Sequence, residues 1–382
     1  MNNTICTKLG IALAGMLALI ILTPRVHAGA LAYSVTDLGN FDGNQSHTVF
    51  GINASGQLTG YLRTGFGDQA VRWNGATTTN LNSLGGSNSY GFAINASGQI
   101  TGASELAGDN ATHAVRWTGT TPTDLGTLGG TKSYGRGIND SGQVAGEAYF
   151  AGNANFHAVR WTGMTAEDLG TIGGFDGASK GYGINVSGQV TGFSTLAAVS
   201  GGFHAARWTG TTVEDLGTLG GVASLGYGIN ASGQVVGYSL LAPGNGATHA
   251  VRWTGTVAED LGTLVGGTSS EAYSINAIGD VIGMSDTTNN GLNGGYDAFL
   301  YSDGTMYDLT ALLLPGSGVT SLRLGVGANI NDLGQIAAGG LIGGEFHLLI
   351  LTPVIVPEPS SALLLLGSGW MWLLKRRRGV AL

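Results

Sequence analysis

Between residues 33 and 351 apolar and polar positions alternate in short runs broken by Gly, Asn, Ser and Thr, and no stretch carries the period of an amphipathic helix. Residues 134–169 show the pattern best. Tyr134 to Asn139 alternates as a strand, and Asp140-Ser141-Gly142 is a tight turn in which Gly142 can take a positive φ. Gln143 to Ala148 is a second strand, and residues 149–156 form an irregular loop. His157 to Trp161 is a third strand, rich in residues that suit a pleated surface, and Thr165 to Leu169 is a fourth after the Thr162-Gly163 turn. Four short antiparallel strands in such a span describe one blade of a β-propeller.

The pattern recurs. An Ile-Asn pair occurs at 52, 94, 138, 184, 229, 275 and 330, at spacings of 42, 44, 46, 45, 46 and 55 residues. A His-Ala-x-Arg-Trp phrase ends at Trp117, Trp161, Trp208 and Trp253, with looser copies ending at Trp73, Tyr301 and Leu351. Asp-Leu-Gly occurs at Asp37, Asp124, Asp168, Asp215 and Asp260. A period of this length predicts a repeat fold. The chain opens on a fourth-strand phrase, Tyr33 to Gly39, and its last unit ends on a third-strand phrase, Glu345 to Leu351. Setting these two side by side completes a seventh unit and removes two open edges. The expectation is an all-β, seven-bladed propeller of four-stranded antiparallel blades, closed by an N-terminal strand, over residues 29–352. The Gly-Ile-Asn-x-Ser-Gly-Gln and His-Ala-x-x-Trp phrases resemble the HAF repeat of bacterial extracellular proteins. That resemblance implies an extracellular repeat protein and brings no catalytic residue with it.

The two ends differ from the body. Lys8, an apolar run from Leu9 to Leu22 and the small-x-small site Val26-His27-Ala28 make a signal peptide, residues 1–28, with cleavage expected after Ala28. Such a segment implies handling by the Sec translocon and signal peptidase. Near the other end stand Pro357-Glu358-Pro359, an apolar stretch from Ala362 to Leu374, and Lys375-Arg376-Arg377-Arg378. As a helix those 13 residues reach about 20 Å, short of the roughly 30 Å hydrocarbon core. The basic cluster holds the cytoplasmic side. Residues 353–382 resemble the PEP-CTERM sorting signal, in which a membrane protease, exosortase, recognises Pro-Glu-Pro. The resemblance implies transient anchoring by a short transmembrane segment, then delivery to the cell surface, exterior or biofilm matrix.

Charge narrows the partners. Of 16 basic and 24 acidic residues, six basic and one acidic lie in the terminal segments, which leaves the body 10 and 23 and a net of −13. An acidic body does not attract nucleic acid. Cys6, the one cysteine, falls in the signal peptide, so no disulfide or thiol chemistry is expected in the body. No phosphate loop, zinc motif or EF-hand spacing occurs, and no cofactor or metal is expected.

Binding chemistry is expected where the repeat varies. The Asn-x-Ser-Gly turns share one face; the loops before each His-Ala phrase and the Leu-Gly-Gly loops share the other and differ in length and content. Variable loops on a rigid scaffold are the usual place for contacts. The candidates are Tyr61, Phe66, Glu105, Asp109, Tyr149, Phe150, Phe156, Asp176, Phe203, Glu271, Asp286 and Tyr296, aromatic rings and carboxylates suited to sugars. Residues that recur in every unit read as structural: His113, His157, His204 and His249; the interblade tryptophans; and Arg116, Arg160, Arg207 and Arg252, expected to pair with Asp124, Asp168, Asp215 and Asp260. Asn53, Asn95, Asn185 and Asn230 are expected to build Asx-turns. The resulting expectation is a non-catalytic exported surface or matrix protein that binds exopolysaccharide or another surface component through the variable loops of one face. The alternative is a secreted glycan lyase or hydrolase, for which Glu105, Asp109 and Glu147 are the nearest thing to a carboxylate cluster.

Overall fold

Each Asn-x-Ser-Gly phrase reverses the chain in the way its residue types demand. In the third repeat the Asn139 amide bonds the Gln143 carbonyl at 3.0 Å, Gly142 donates back to the Asn139 carbonyl at 2.9 Å, and Gly142 sits at φ +77°. The computed structural model describes residues 29–40, 47–174, 176–197, 202–242, 246–287, 295–325 and 329–357. Among these there are 28 strands and no helix. The expected Ala28 cleavage site, Glu358, Pro359, Arg376, Arg377, Arg378 and the apolar stretch 362–374 lie outside the described residues; Pro357 ends the last described strand.

The third repeat folds as Gly129–Ile138, Val144–Phe150, Phe156–Thr162 and Thr165–Asp168, paired antiparallel in sequence order. The same four-stranded meander is built over 47–80, 85–124, 179–215, 220–262 and 270–308. The remaining sheet runs Gly29–Gly39, Glu345–Pro357, Ile336–Ile342 and Val319–Arg323 in spatial order, so the first strand of the chain stands beside the last. First strands start about five residues earlier than expected in several repeats, because the Gly-Gly pairs form bulged extensions such as Gly129↔Phe150.

Two sets of contacts join the meanders. One is apolar. Seven buried clusters each draw on two neighbouring meanders, and the tryptophans sit in them fully buried, as Trp161 does with Ala114, Leu125 and Val144. One of the seven packs Leu38, Leu348 and Ile350 against Ile52, Val71 and Trp73, so the ends of the body meet. The other set is polar and goes beyond the expected Asx-turn. Asn139 accepts from Gln143 through Oδ1 and donates through Nδ2 both to Gln143 Oε1 and, at 3.0 Å, to the backbone carbonyl of Asn185 in the next meander. Asn53, Asn95, Asn185 and Asn230 reach Asn95, Asn139, Asn230 and Asn276 likewise, and Asn331 reaches Asn53 at 3.0 Å across 278 residues. A buried amide left unpaired is costly, so these asparagines fix the order of the meanders as well as their turns. The fold is an all-β propeller.

One expected pairing is corrected. The repeated Asp of each unit does not take the arginine. Arg160 lies directly opposite Glu167, and both its Nε and Nη2 donate to Glu167 Oε2, at 3.0 and 2.6 Å. Asp168 instead pairs with His157 Nδ1 at 2.8 Å and caps Gly170. Strand parity is the reason: Asp168 lies opposite Val159, so it shares the face of His157 and Trp161, whereas Arg160 points the other way. The same pairing joins His113 to Asp124, His204 to Asp215 and His249 to Asp260, while Arg207 and Arg252 take Glu214 and Glu259. Arg116 faces Thr123, keeps only its bond to the Gly142 carbonyl, and leaves Nε buried without a partner. In the last sheet His347 Nδ1 meets Asp37 at 2.9 Å, two residues 310 apart forming the pair that elsewhere spans 11.

Candidate functional site

In six of the repeats the residue three places before the repeated Asn belongs to the first strand of its meander. The series reads Phe50, Phe92, Arg136, Tyr182, Tyr227 and Tyr273. Phe92, Arg136, Tyr182, Tyr227, Tyr273 and Asn329 line one cavity, so first strands surround a shared channel. The rings touch in sequence: Phe50 and Phe92 edge to face at 5.4 Å, Tyr182 and Tyr227 at 5.3 Å, Tyr227 and Tyr273 at 5.7 Å. Arg136 fills the gap in the series, its guanidinium 5.1 Å from the Phe92 ring and 6.0 Å from Tyr182.

Two residues further from the Asn turns, the same strand face carries Tyr90, Tyr134, Lys180, Leu225 and Glu271. Their direct cross-strand neighbours are Ala103, Glu147, Phe193, Tyr238 and Met284; Tyr61 holds the same place opposite Thr48. Rings gather here too. Tyr61 meets Phe50 at 6.0 Å and Tyr90 at 5.1 Å; Tyr149 meets Phe156 at 5.0 Å, and Phe156 lies under the Lys180 ammonium at 5.2 Å. Phe203 packs on Phe193 at 5.3 Å, and Tyr238 on Tyr227 at 6.0 Å. This is the mouth of the channel on the variable-loop side.

Its electrostatics are uneven. The Glu147 carboxylate is 1% exposed and takes Arg136 Nη2 at 2.7 Å and Nε at 3.1 Å, with Lys180 Nζ 3.7 Å away. In the sixth meander no cation among the described residues plays this role for Glu271. Burial pushes its carboxyl above the ordinary glutamate range, an effect partly offset by a hydrogen bond with Tyr273. Burial also pushes the phenols of Tyr227 and Tyr273 up, and that of Tyr182 to about 12, so all three are neutral hydroxyls at physiological pH.

The raised carboxyl has a consequence for stability. Glu271 binds its proton more tightly folded than unfolded, so its contribution is fully present below the ordinary glutamate pKa and is lost as pH rises through the raised value. Glu271→Gln should therefore raise Tm relative to wild type at pH 7, with the gain vanishing near pH 4, roughly the unperturbed glutamate pKa. An equal gain at both pH values in thermal denaturation, or a loss at pH 7, would refute this.

The expected contact residues divide. Tyr61, Tyr149, Phe156, Phe203 and Glu271 belong to the mouth. Phe150 turns away and stacks edge-on against His157 at 4.8 Å. Three carboxylates hold loops: Glu105 accepts from the Asn88 backbone and side chain, Asp109 from the Ser87 amide and hydroxyl, and Asp286 from Thr268 and Ser269. Phe66 is 93% exposed on a turn, Asp176 is exposed on a loop, and Tyr296 is exposed at the start of the strand Tyr296–Ser302, opposite Asp286. Sequence reasoning missed Arg136, Lys180, Tyr182, Tyr227, Tyr238 and Tyr273. The signal that would have found them is a charged or aromatic side chain at a fixed distance before or after the repeated Asn.

No family model and no curated protein matches the chain. Among solved structures, the chain is similar to the β-propeller domain of the trilobed protease from Pyrococcus furiosus, described as having an open Velcro topology. The TM-score is 0.53 at 7% identity, over 81% of this chain and 95% of that one. It is also similar to a TolB-type structure from Agrobacterium tumefaciens, at TM-score 0.45 and 13% identity, over 71% of this chain and 98% of that one. The first likeness supports the propeller fold.

Proposed function

We propose that this protein is a non-catalytic, exported surface or matrix protein whose propeller, a closed ring of seven blades, binds exopolysaccharide at the channel mouth. The observation that carries the reading is the set of aromatic rings that converge there from several meanders, Tyr61, Tyr90, Phe156, Phe203 and Tyr238 among them. Rigid rings beside neutral phenols offer flat apolar surface and hydroxyl groups together, which is what a sugar presents in return. The repeat-wide His, Arg and Asn residues are occupied in holding the fold and leave the mouth as the place where chemistry differs between blades.

A glycan array on the protein is expected to show binding, and Tyr149→Ala with Phe156→Ala should weaken it at least tenfold, the loss of about one to two stacking contacts. Absence of binding to every glycan, or binding untouched by the double substitution, removes the reading. One observation favours a second reading, a glycan lyase or hydrolase: Glu271, a carboxyl with a raised pKa, lies at the mouth near Tyr273, as a general acid would. Polysaccharide turnover that Glu271→Gln abolishes would replace binding with catalysis.

Export and sorting belong to the same proposal and rest on the sequence of the two ends, with the Sec translocon, signal peptidase and an exosortase-type protease as partners. Alanines at Pro357, Glu358 and Pro359 should leave the protein in the inner-membrane fraction. Unchanged release to the surface would rule out that route.

A further inference from the structure

The repeat itself shows where the mouth departs from what the fold requires. A residue the propeller needs recurs once per meander. The place eight residues after the repeated Asn holds Tyr61, Ala103, Phe193, Tyr238 and Met284, none of them charged, and in the third meander alone it holds Glu147. The place three before the Asn is aromatic in five meanders and Arg136 in the third. Lys180 occupies a place that is Thr48, Tyr90, Tyr134 and Leu225 elsewhere, and Glu271 once. Three charged residues thus replace neutral ones at adjoining places on two neighbouring meanders, and the fold stands elsewhere without them.

Their arrangement is lopsided in a way that points outward. Glu147 is 1% exposed, whereas the side chains of Arg136 and Lys180 are 27% and 23% exposed. One buried carboxylate holds two partly exposed cations, of which Arg136 lines the channel. Arg136 spends Nε and Nη2 on Glu147, and Lys180 lies at 3.7 Å, at the loose end of an ion pair. The cations are bordered by rings, Phe92 and Tyr134 at 5.1 Å from the guanidinium and Phe156 at 5.2 Å from the ammonium. The protein body is strongly acidic, so general electrostatics would repel an anion, and a focused, partly buried positive site is the arrangement that would select one.

We propose that Arg136 and Lys180, pre-positioned by Glu147, form a subsite for the carboxylate of a uronic-acid residue, so that the ligand is an acidic polysaccharide rather than a neutral one. This rests on the glycan-binding reading above and names its substrate class. The sugar ring lies on the Tyr134 and Phe156 side of the mouth and its carboxylate accepts from the Lys180 ammonium and the free edge of the Arg136 guanidinium.

Lys180 gives the cleanest test, since its replacement leaves the Arg136–Glu147 pair intact. The purified protein is titrated calorimetrically with oligogalacturonate, with a neutral cello-oligosaccharide and with a sulfated oligosaccharide. Oligogalacturonate should bind most tightly and weaken as salt rises. Its affinity should fall about tenfold in Lys180→Gln, the value of one charge-assisted contact, and return in Lys180→Arg. Affinity for the neutral sugar should not change between these variants. Oligogalacturonate affinity that is unmoved by Lys180→Gln overturns the subsite, as does an equal loss for the neutral sugar or a preference for the sulfated one. If oligogalacturonate does not bind, the subsite falls; the glycan-binding reading stands if the neutral sugar binds, and falls with the subsite only if the glycan array also shows no ligand.

Discussion

Deletion of residues 31–39 should abolish the cooperative unfolding transition. That strand buries Tyr33, 2% exposed, and Leu38 in two different clusters, one on each side of the last sheet. Its backbone bonds Leu312 and Leu314 through Tyr33 at 2.8 and 2.9 Å, and Asp37 supplies the partner of His347. Two large buried side chains at about 2 kcal/mol each, with the buried hydrogen bonds, place the loss on the order of 5 kcal/mol or more. That compares with a total stability of about 5 to 15 kcal/mol for a typical domain. The deletion would also leave Glu345–Pro357 as an open edge prone to pairing with other chains. Thermal denaturation followed by circular dichroism would check this, with a synthetic 31–40 peptide added in trans to restore the transition. A deletion variant that melts cooperatively within a few degrees of wild type would show that the ring does not depend on this strand.

The second large effect is expected at an interblade tryptophan. Trp161→Ala should cost about 3 to 5 kcal/mol, since the side chain is fully buried among residues from two meanders that are too tied by backbone pairing to collapse into the hole. Trp161→Phe should cost far less, because the indole Nε1 is buried with no partner and its removal sacrifices no hydrogen bond. Trp117 provides the contrast: its Nε1 donates to the Asn82 carbonyl at 2.7 Å, so Trp117→Phe should cost about 1 kcal/mol more than Trp161→Phe. Equal costs for the two Phe variants in urea denaturation would contradict this account of the indoles.

Much of the fold was legible because local and global signals agree in each repeat. The Asn-x-Ser-Gly turn needs a positive-φ residue, and Gly142 is where the turn requires it. The period-two alternation placed Trp161 on a buried face, and the offset between the first and last phrases indicated the strand exchange that the His347–Asp37 pair displays. The arginine pairing was misjudged for a reason equally local. Asp168 and Glu167 are adjacent in sequence but face opposite sides, and only the pairing register tells which of them meets Arg160.

The site was less legible. Glu105, Asp109 and Glu147 look alike as carboxylates near one another in the chain, yet two hold loops and one anchors cations in the channel. Phe150 and Tyr149 are neighbours in sequence, and strand parity sends one to His157 and the other to the mouth. The sequence alone determined the repeat, its strands, the turn chemistry and the acidic, cysteine-free body, because each depends on residues close together along the chain. Only the tertiary structure decided that Arg136, Glu147 and Lys180 meet, and that rings from separate repeats converge on one channel. Such proximity arises from the register between strands and the packing of one meander on the next, and neither is written within any single repeat.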